Sequence, residues 1–176
     1  KALVAKAKLH EINAFCDVTA IQTRLTADNY QQIVERAKIN SLSKLICDCT
    51  DNFKTRDLIN TIAVKSNLSL LSASAIAQTG QLALFAQQQG CYHCLFQGAG
   101  DDERTCATSG VLASTTQIIG NLQAQAALSF LGLGINPIAK TLLLWNGKTM
   151  NLKKLHYHKD ANCEICSHPS AITDVI

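Results

Sequence analysis

Apolar positions at Leu3, Val4, Ala7, Leu9 and Ile12 recur at helical spacing and predict a helix over residues 1–13. Residues 15–25 alternate loosely and predict a strand with Val18 and Ile21 in the core. Asp28 is placed to cap a helix over residues 29–39 that carries Ile33, Val34 and Ala37. A short apolar strand over residues 44–49 runs into the polar string Asp48-Cys49-Thr50-Asp51-Asn52. Leu58, Ile59, Ile62 and Ala63 mark a helix over residues 53–67. Further strands follow at 68–72 and at 81–85, the second entered through Gly80. Strands alternating with helices predict an α/β fold, Rossmann-like, with a largely parallel sheet. Residues 141–145 and 150–158 flank Asn146-Gly147 and predict a C-terminal antiparallel hairpin on a two-residue turn. The Gly132-Leu133-Gly134 segment reads as a helix C-cap. The chain reads as one domain, with an α/β part over residues 1–90. A loop, an uncharged helix, the hairpin and two cysteine pairs fill residues 91–176.

Charge changes this picture. Of the 176 residues, 47% are hydrophobic and only 16% are charged, with a formal net charge of +3. No Asp, Glu, Lys or Arg occurs over residues 66–100 or 105–139, and Asp101, Asp102, Glu103 and Arg104 alone separate the two gaps. This composition excludes a disordered chain. It makes no basic stripe for nucleic acid. The best candidate for a membrane span, residues 111–131, holds Ser114, Thr115, Thr116, Gln117, Asn121, Gln123, Gln125 and Ser129, which are costly in lipid. No signal-peptide pattern opens the chain, and the expected compartment is the cytoplasm. The uncharged stretches leave open what covers so much uncharged surface.

Two pairs at one spacing, Cys91-Tyr92-His93-Cys94 and Cys163-Glu164-Ile165-Cys166, predict a closed tetrahedral site for structural zinc. A disulfide framework suits small secreted chains, and a redox dithiol follows the first strand of a thioredoxin-like unit; neither setting is present. His93 reads as a loop side chain between ligands. His156 and His158 read as surface, and Phe130 and Trp145 as core.

Ligands of open α/β sheets bind beyond the carboxyl ends of strands. Residues 48–52 sit at such an end. Their carboxylates and amide suit a magnesium ion and phosphate oxygens. Asp51 or Asn52 also suits the cap of the following helix. Arg56 and Asn60 share a helix face and read equally as surface polar residues.

The string from Asp48 to Asn52, continued by Arg56 and Asn60, resembles the sulfur-carrier adenylyltransferases of molybdopterin and thiamine biosynthesis, relatives of ubiquitin-activating enzymes. So do Gly80-Gln81-Leu82, Gly90-Cys91-Tyr92 with Cys94-Leu95, Thr105-Cys106 with Ser109-Gly110-Val111, Ile119-Gly120 with Leu122-Gln123-Ala124, and Asn162-Cys163 with Cys166. The resemblance implies ATP- and magnesium-dependent adenylylation of the C-terminal Gly-Gly carboxylate of a ubiquitin-like sulfur carrier, by a homodimer. It implies cofactor or nucleotide contacts at Lys1, Asp51, Asn52 and Arg56. Asp51 and Cys106 become the catalytic candidates, Cys106 either as a reactive thiol or as an inert one. The alternative class is a non-catalytic, zinc-stabilised dimerisation or interaction module.

The chain also departs from that family. No Gly-x-Gly-x-x-Gly occurs in it, so the half of the fold with the nucleotide loop is expected to lie upstream. Ala113-Ser114 replace a common Gly-Pro, and Asn146 stands where Asp is common. These residues alone are expected to bind ATP poorly and not to catalyse, since a phosphate cradle of backbone N–H groups needs that loop.

Overall fold

The computed structural model describes residues 1–38, 45–97 and 109–167. Five strands form one sheet in the order β1 (Leu45–Asp48), β2 (Ser69–Ile76), β3 (Thr79–Phe85), β4 (Thr141–Asn146) and β5 (Asn151–His156). The helices are α1 (Ala2–Ile12), α2 (Tyr30–Lys38), α3 (Phe53–Lys65), α4 (Tyr92–Phe96) and α5 (Ala113–Leu133).

The α/β class stands, but the sheet is mixed rather than largely parallel. Only β1 and β2 pair in parallel, because α3 carries the chain back between them. From β2 the chain turns at once through Ala77, at φ 49°, into antiparallel β3. β3–β4 and β4–β5 are antiparallel as well. β2 is therefore longer than the predicted residues 68–72. Gly80 lies within β3, and a Cβ there would sit 2.3 Å from Ile119 Cγ1, so its glycine lets α5 lie close on the sheet.

Each face of the sheet buries its own cluster. On one face Ile59 and Ala63 of α3 and Tyr92 of α4 meet Leu70, Phe85, Leu142 and Tyr157. On the other, Ile119 and Ala126 of α5 meet Leu71, Leu82, Leu84 and Leu143. Helix α5 buries only the stripe Thr115, Ile119, Gln123 and Ala126, while Leu128, Leu131 and Leu133 are exposed. The charge-free helix is thus half covered within the chain. Among the described residues no helix is long and apolar enough to cross a membrane.

Three further expectations are corrected. Residues 15–25 form no strand: Val18 and Ile21 are only half-buried, and no described strand pairs with them. A strand without a partner leaves its ladder groups unpaired. Helix α2 starts at Tyr30, and the Ile33 N–H donates to the Asn29 carbonyl, so Asn29 rather than Asp28 takes the position before the helix, its side chain bonding back to Arg24 and Thr26. The β4–β5 connection is a four-residue loop, 147–150, rather than a two-residue turn. Asn146 Oδ1 shapes it by accepting from the Lys148 and Thr149 N–H groups. An Asp oxygen could take the same bonds. Gly134 ends α5 at φ 68°, as the C-cap reading requires. Helix α1 forms as predicted, but none of its residues is buried.

Candidate functional site

The loop after β1 is ordered by its own side chains. Asp48 is 1% exposed. Its Oδ1 accepts from the Thr50 N–H at 2.9 Å and the Thr50 hydroxyl at 2.7 Å, and its Oδ2 accepts from Ser72 Oγ at 2.9 Å. Arg56 lies beneath the loop with Nε 3.8 Å from Asp48 Oδ2, and its Nη2 donates to the Thr50 carbonyl at 2.6 Å. Asn52 caps α3 by accepting from the Thr55 N–H at 2.9 Å. Of the two cap candidates, the structure selects Asn52.

This leaves Asp51 exposed at the carboxyl end of β1, just before α3, with a 3.3 Å contact from the Asn52 amide. Arg56 and Asn60 are not surface polar residues: both are buried. The Arg56 guanidinium bonds the Thr50 carbonyl through Nη2, while its Nε stands 3.8 Å from Asp48 without a hydrogen-bond partner among the described residues. Gln123 on α5 was missed as a site residue. Its Nε2 donates to the carbonyls of Asp48 at 3.1 Å and Leu71 at 3.2 Å, and its Oε1 accepts from Cys49 Sγ at 3.4 Å. Its sequence signals are a polar amide on an otherwise apolar helix stripe and its place in the string Leu122-Gln123-Ala124. Lys1 is exposed at the start of α1. Cys106 and the charged residues 101–104 lie outside the described residues.

The second constellation lies beside α3, where Asn60 meets Cys91. Cys91, Cys94, Cys163 and Cys166 converge so that all four sulfurs lie within 4.8 Å of one another. The closest pairs are 3.8 Å (Cys91–Cys94), 3.7 Å (Cys91–Cys163) and 3.4 Å (Cys94–Cys166). Four thiolates about 2.3 Å from one ion stand about 3.8 Å apart, whereas a disulfide needs about 2 Å. The cluster fits a tetrahedral metal. His93 is not part of it.

Both Cys pairs are shaped by their backbones. Gly90 enters the first at φ 104°, and a Cβ there would meet Lys159 Cα at 3.2 Å and the Tyr157 ring at 3.3 Å. In the second, the Asp160 carbonyl accepts from the Cys163 N–H and the Ser167 hydroxyl. Burial, together with the neighbouring thiols, pushes the Cys91 thiol up to about 12 when no cation is present. A divalent cation reverses that penalty by pairing with the thiolates. A cleft of about 260 Å³ adjoins the cluster, lined among others by Asn60, Phe85, Cys91, Lys159 and Cys166.

The ThiF family matches residues 1–165 of this chain. The chain is 35% identical over 173 residues to the sulfur carrier protein ThiS adenylyltransferase of Escherichia coli, covering 97% of this chain and 66% of that protein. It is 27% identical over 164 residues to the molybdopterin-synthase adenylyltransferase of Salmonella typhimurium, covering 92% of this chain and 64% of that protein. The fold is similar to that of MccB from E. coli solved with ATP, at a TM-score of 0.72 and 15% identity, over 94% of this chain and 51% of that one. The chain therefore spans about two thirds of these curated relatives and half of that structure. The family match runs over residues 1–165, nearly the whole chain, and the chain therefore belongs to the ThiF family.

Proposed function

We propose that the chain is part of an adenylyltransferase that activates the C-terminal Gly-Gly carboxylate of a ubiquitin-like sulfur carrier with ATP, in thiamine or molybdopterin biosynthesis. The observation that carries this reading is Asp51: an exposed carboxylate at a strand's carboxyl end, with a 3.3 Å contact from the Asn52 amide, in a loop ordered by Asp48, Asn52 and Arg56.

Asp51 fits magnesium because its oxygens are open to solvent, whereas those of Asp48 are taken. Magnesium would neutralise charge on the nucleotide phosphates during transfer. Asn52 and Arg56 act as the cap and the clamp that aim Asp51. Lys1 is assigned to phosphate, and Cys106 to a thiol that receives or handles the activated carrier tail. The four-thiolate cluster is assigned to structural zinc, since four sulfurs close the tetrahedron and leave no open position. Free thiolates of this kind suit a reducing cytoplasm. The exposed leucines of α5 suit pairing with a second copy.

The test is carrier-dependent ATP–pyrophosphate exchange in the intact gene product. Asp51→Ala is expected to lower exchange roughly a hundredfold or more, as loss of one electrostatic stabiliser does; unchanged exchange would sink the reading. Because the 176 residues hold no Gly-x-Gly-x-x-Gly, they are expected to give no exchange by themselves. The non-catalytic module draws on that same composition and on the half-covered α5. It predicts metal-dependent self-association without exchange by the intact gene product.

A further inference from the structure

Asn60 has no role in the strand-end loop, yet it is 1% exposed in a largely apolar setting between Ile59 and the Tyr92 ring. Burying a carboxamide is costly unless both of its ends are bonded. Its Oδ1 accepts from the Tyr92 N–H at 2.9 Å, and its Nδ2 lies 3.6 Å from Cys91 Sγ. The orientation is fixed by chemistry. A backbone N–H can only donate, so the amide oxygen must face Tyr92 and the NH₂ must face the sulfur. A neutral thiol is a weak acceptor, whereas a metal-bound thiolate is a good one. The buried NH₂ group is therefore well matched only when Cys91 is ionised and bound to a cation.

We infer that Asn60 is a positioning residue of the metal cluster, donating an N–H···S bond that holds the Cys91 sulfur at its corner and lowers its electron donation to the metal. The inference rests on the metal reading of the four cysteines, and the two can fail separately. Cobalt(II) titrated into the metal-free protein should give the spectrum of a tetrahedral tetrathiolate. Its absence would overturn the metal reading and, with it, this one.

Given that spectrum, Asn60→Asp keeps the oxygen that receives the Tyr92 N–H but removes the donor to sulfur. It should shift the sulfur-to-cobalt charge-transfer band to longer wavelength and weaken cobalt binding roughly 10- to 100-fold. Asn60→Leu, which removes both bonds, should shift the band the same way. Ile119→Val, in the core on the other face of the sheet, is the stability control and should leave the band in place. An unshifted band in both Asn60 variants, or an affinity loss matched by Ile119→Val, would overturn the assignment. Should neither Asn60 variant fold, the cadmium-loaded native protein decides. A through-bond correlation between the Asn60 side-chain amide protons and the cadmium nucleus is expected, and its absence overturns the inference.

Discussion

Helix α3 joins two polar regions built on opposite plans. At its start, residues 48–52 satisfy one another: Asp48 takes Thr50 and Ser72, Asn52 takes Thr55, and Arg56 takes Thr50. That region bonds most of its polar groups internally, with Arg56 Nε an exception, and presents one exposed carboxylate, Asp51. Further along, Asn60 reaches a cluster of four thiols brought from segments 72 residues apart, whose sulfurs are close enough to share one cation. The loop is held by side chains of its own segment together with Ser72 and Gln123, whereas the cluster is four sulfurs suited to a shared cation. Substitutions in the two regions should accordingly separate stability from chemistry.

The largest effect on stability is expected from the cluster. Structural zinc is held by about 10–16 kcal/mol in small peptides, and part of that energy becomes folding energy. A strong chelator, or Cys163→Ser, should lower Tm by on the order of 10 °C or more, read by calorimetry. A Tm unmoved by both would break the contrast. The pH dependence has a definite sign. Without metal, burial holds the Cys91 thiol, at about 12, and the Cys166 thiol above their ordinary 9.0, while at Cys94 burial is outweighed by hydrogen bonds that hold it below that value. The two raised thiols therefore bind their protons more tightly in the folded state, and Cys94 partly offsets them. That contribution is full below about pH 9 and is lost as pH rises toward 12. In the loaded protein the cation displaces the proton, and binding strengthens as pH rises. Urea midpoints of loaded and chelated protein should therefore diverge as pH is raised above about 9.

The loop should respond next. Asp48→Ala leaves the Arg56 guanidinium, 6% exposed, without its carboxylate, at a cost of about 3–5 kcal/mol in urea unfolding. Gln123→Leu keeps the bulk on α5 but leaves the Asp48 and Leu71 carbonyls without their amide donor, for about 1–3 kcal/mol. Faster amide exchange in residues 48–52 of the Gln123 variant would place the strain at the strand end. Protection unchanged there would show that Gln123 merely packs.

The regions also differ in how far their residues announced them. The Cys-x-x-Cys pairs were legible because metal geometry restricts both residue type and spacing. The strand, cap and helix from Leu45 to Lys65 were legible because an apolar run ends in Asp and Asn before a helical pattern. The mixed sheet was not, because the β2–β3 turn uses Ala77 at positive φ with no Asn-Gly signal. The segment at residues 15–25 has strand-like alternation, but alternation says nothing about whether a neighbour exists to pair with. Asp48, Arg56, Asn60 and Gln123 were the hardest to read. A buried polar residue and a surface one look alike in sequence, and only the carbonyl, carboxylate or sulfur it meets distinguishes them.

The smallest effect on stability belongs to Asp51, and it is the sharpest test of the contrast. Asp51 is exposed, with one 3.3 Å contact from the Asn52 amide, so Asp51→Asn should change unfolding free energy by no more than about 0.5 kcal/mol. If its carboxylate holds magnesium against the nucleotide, the same substitution should still remove most carrier-dependent pyrophosphate exchange in the intact gene product. Arg56→Lys provides the comparison. A lysine at that position gives up the planar donor set that now reaches the Thr50 carbonyl and lies beside Asp48, so stability and exchange should fall together. Two residues five positions apart would then differ in kind, one acting on the substrate and the other on the loop that presents it. Exchange that tracks stability in both variants would reduce Asp51 to part of the scaffold.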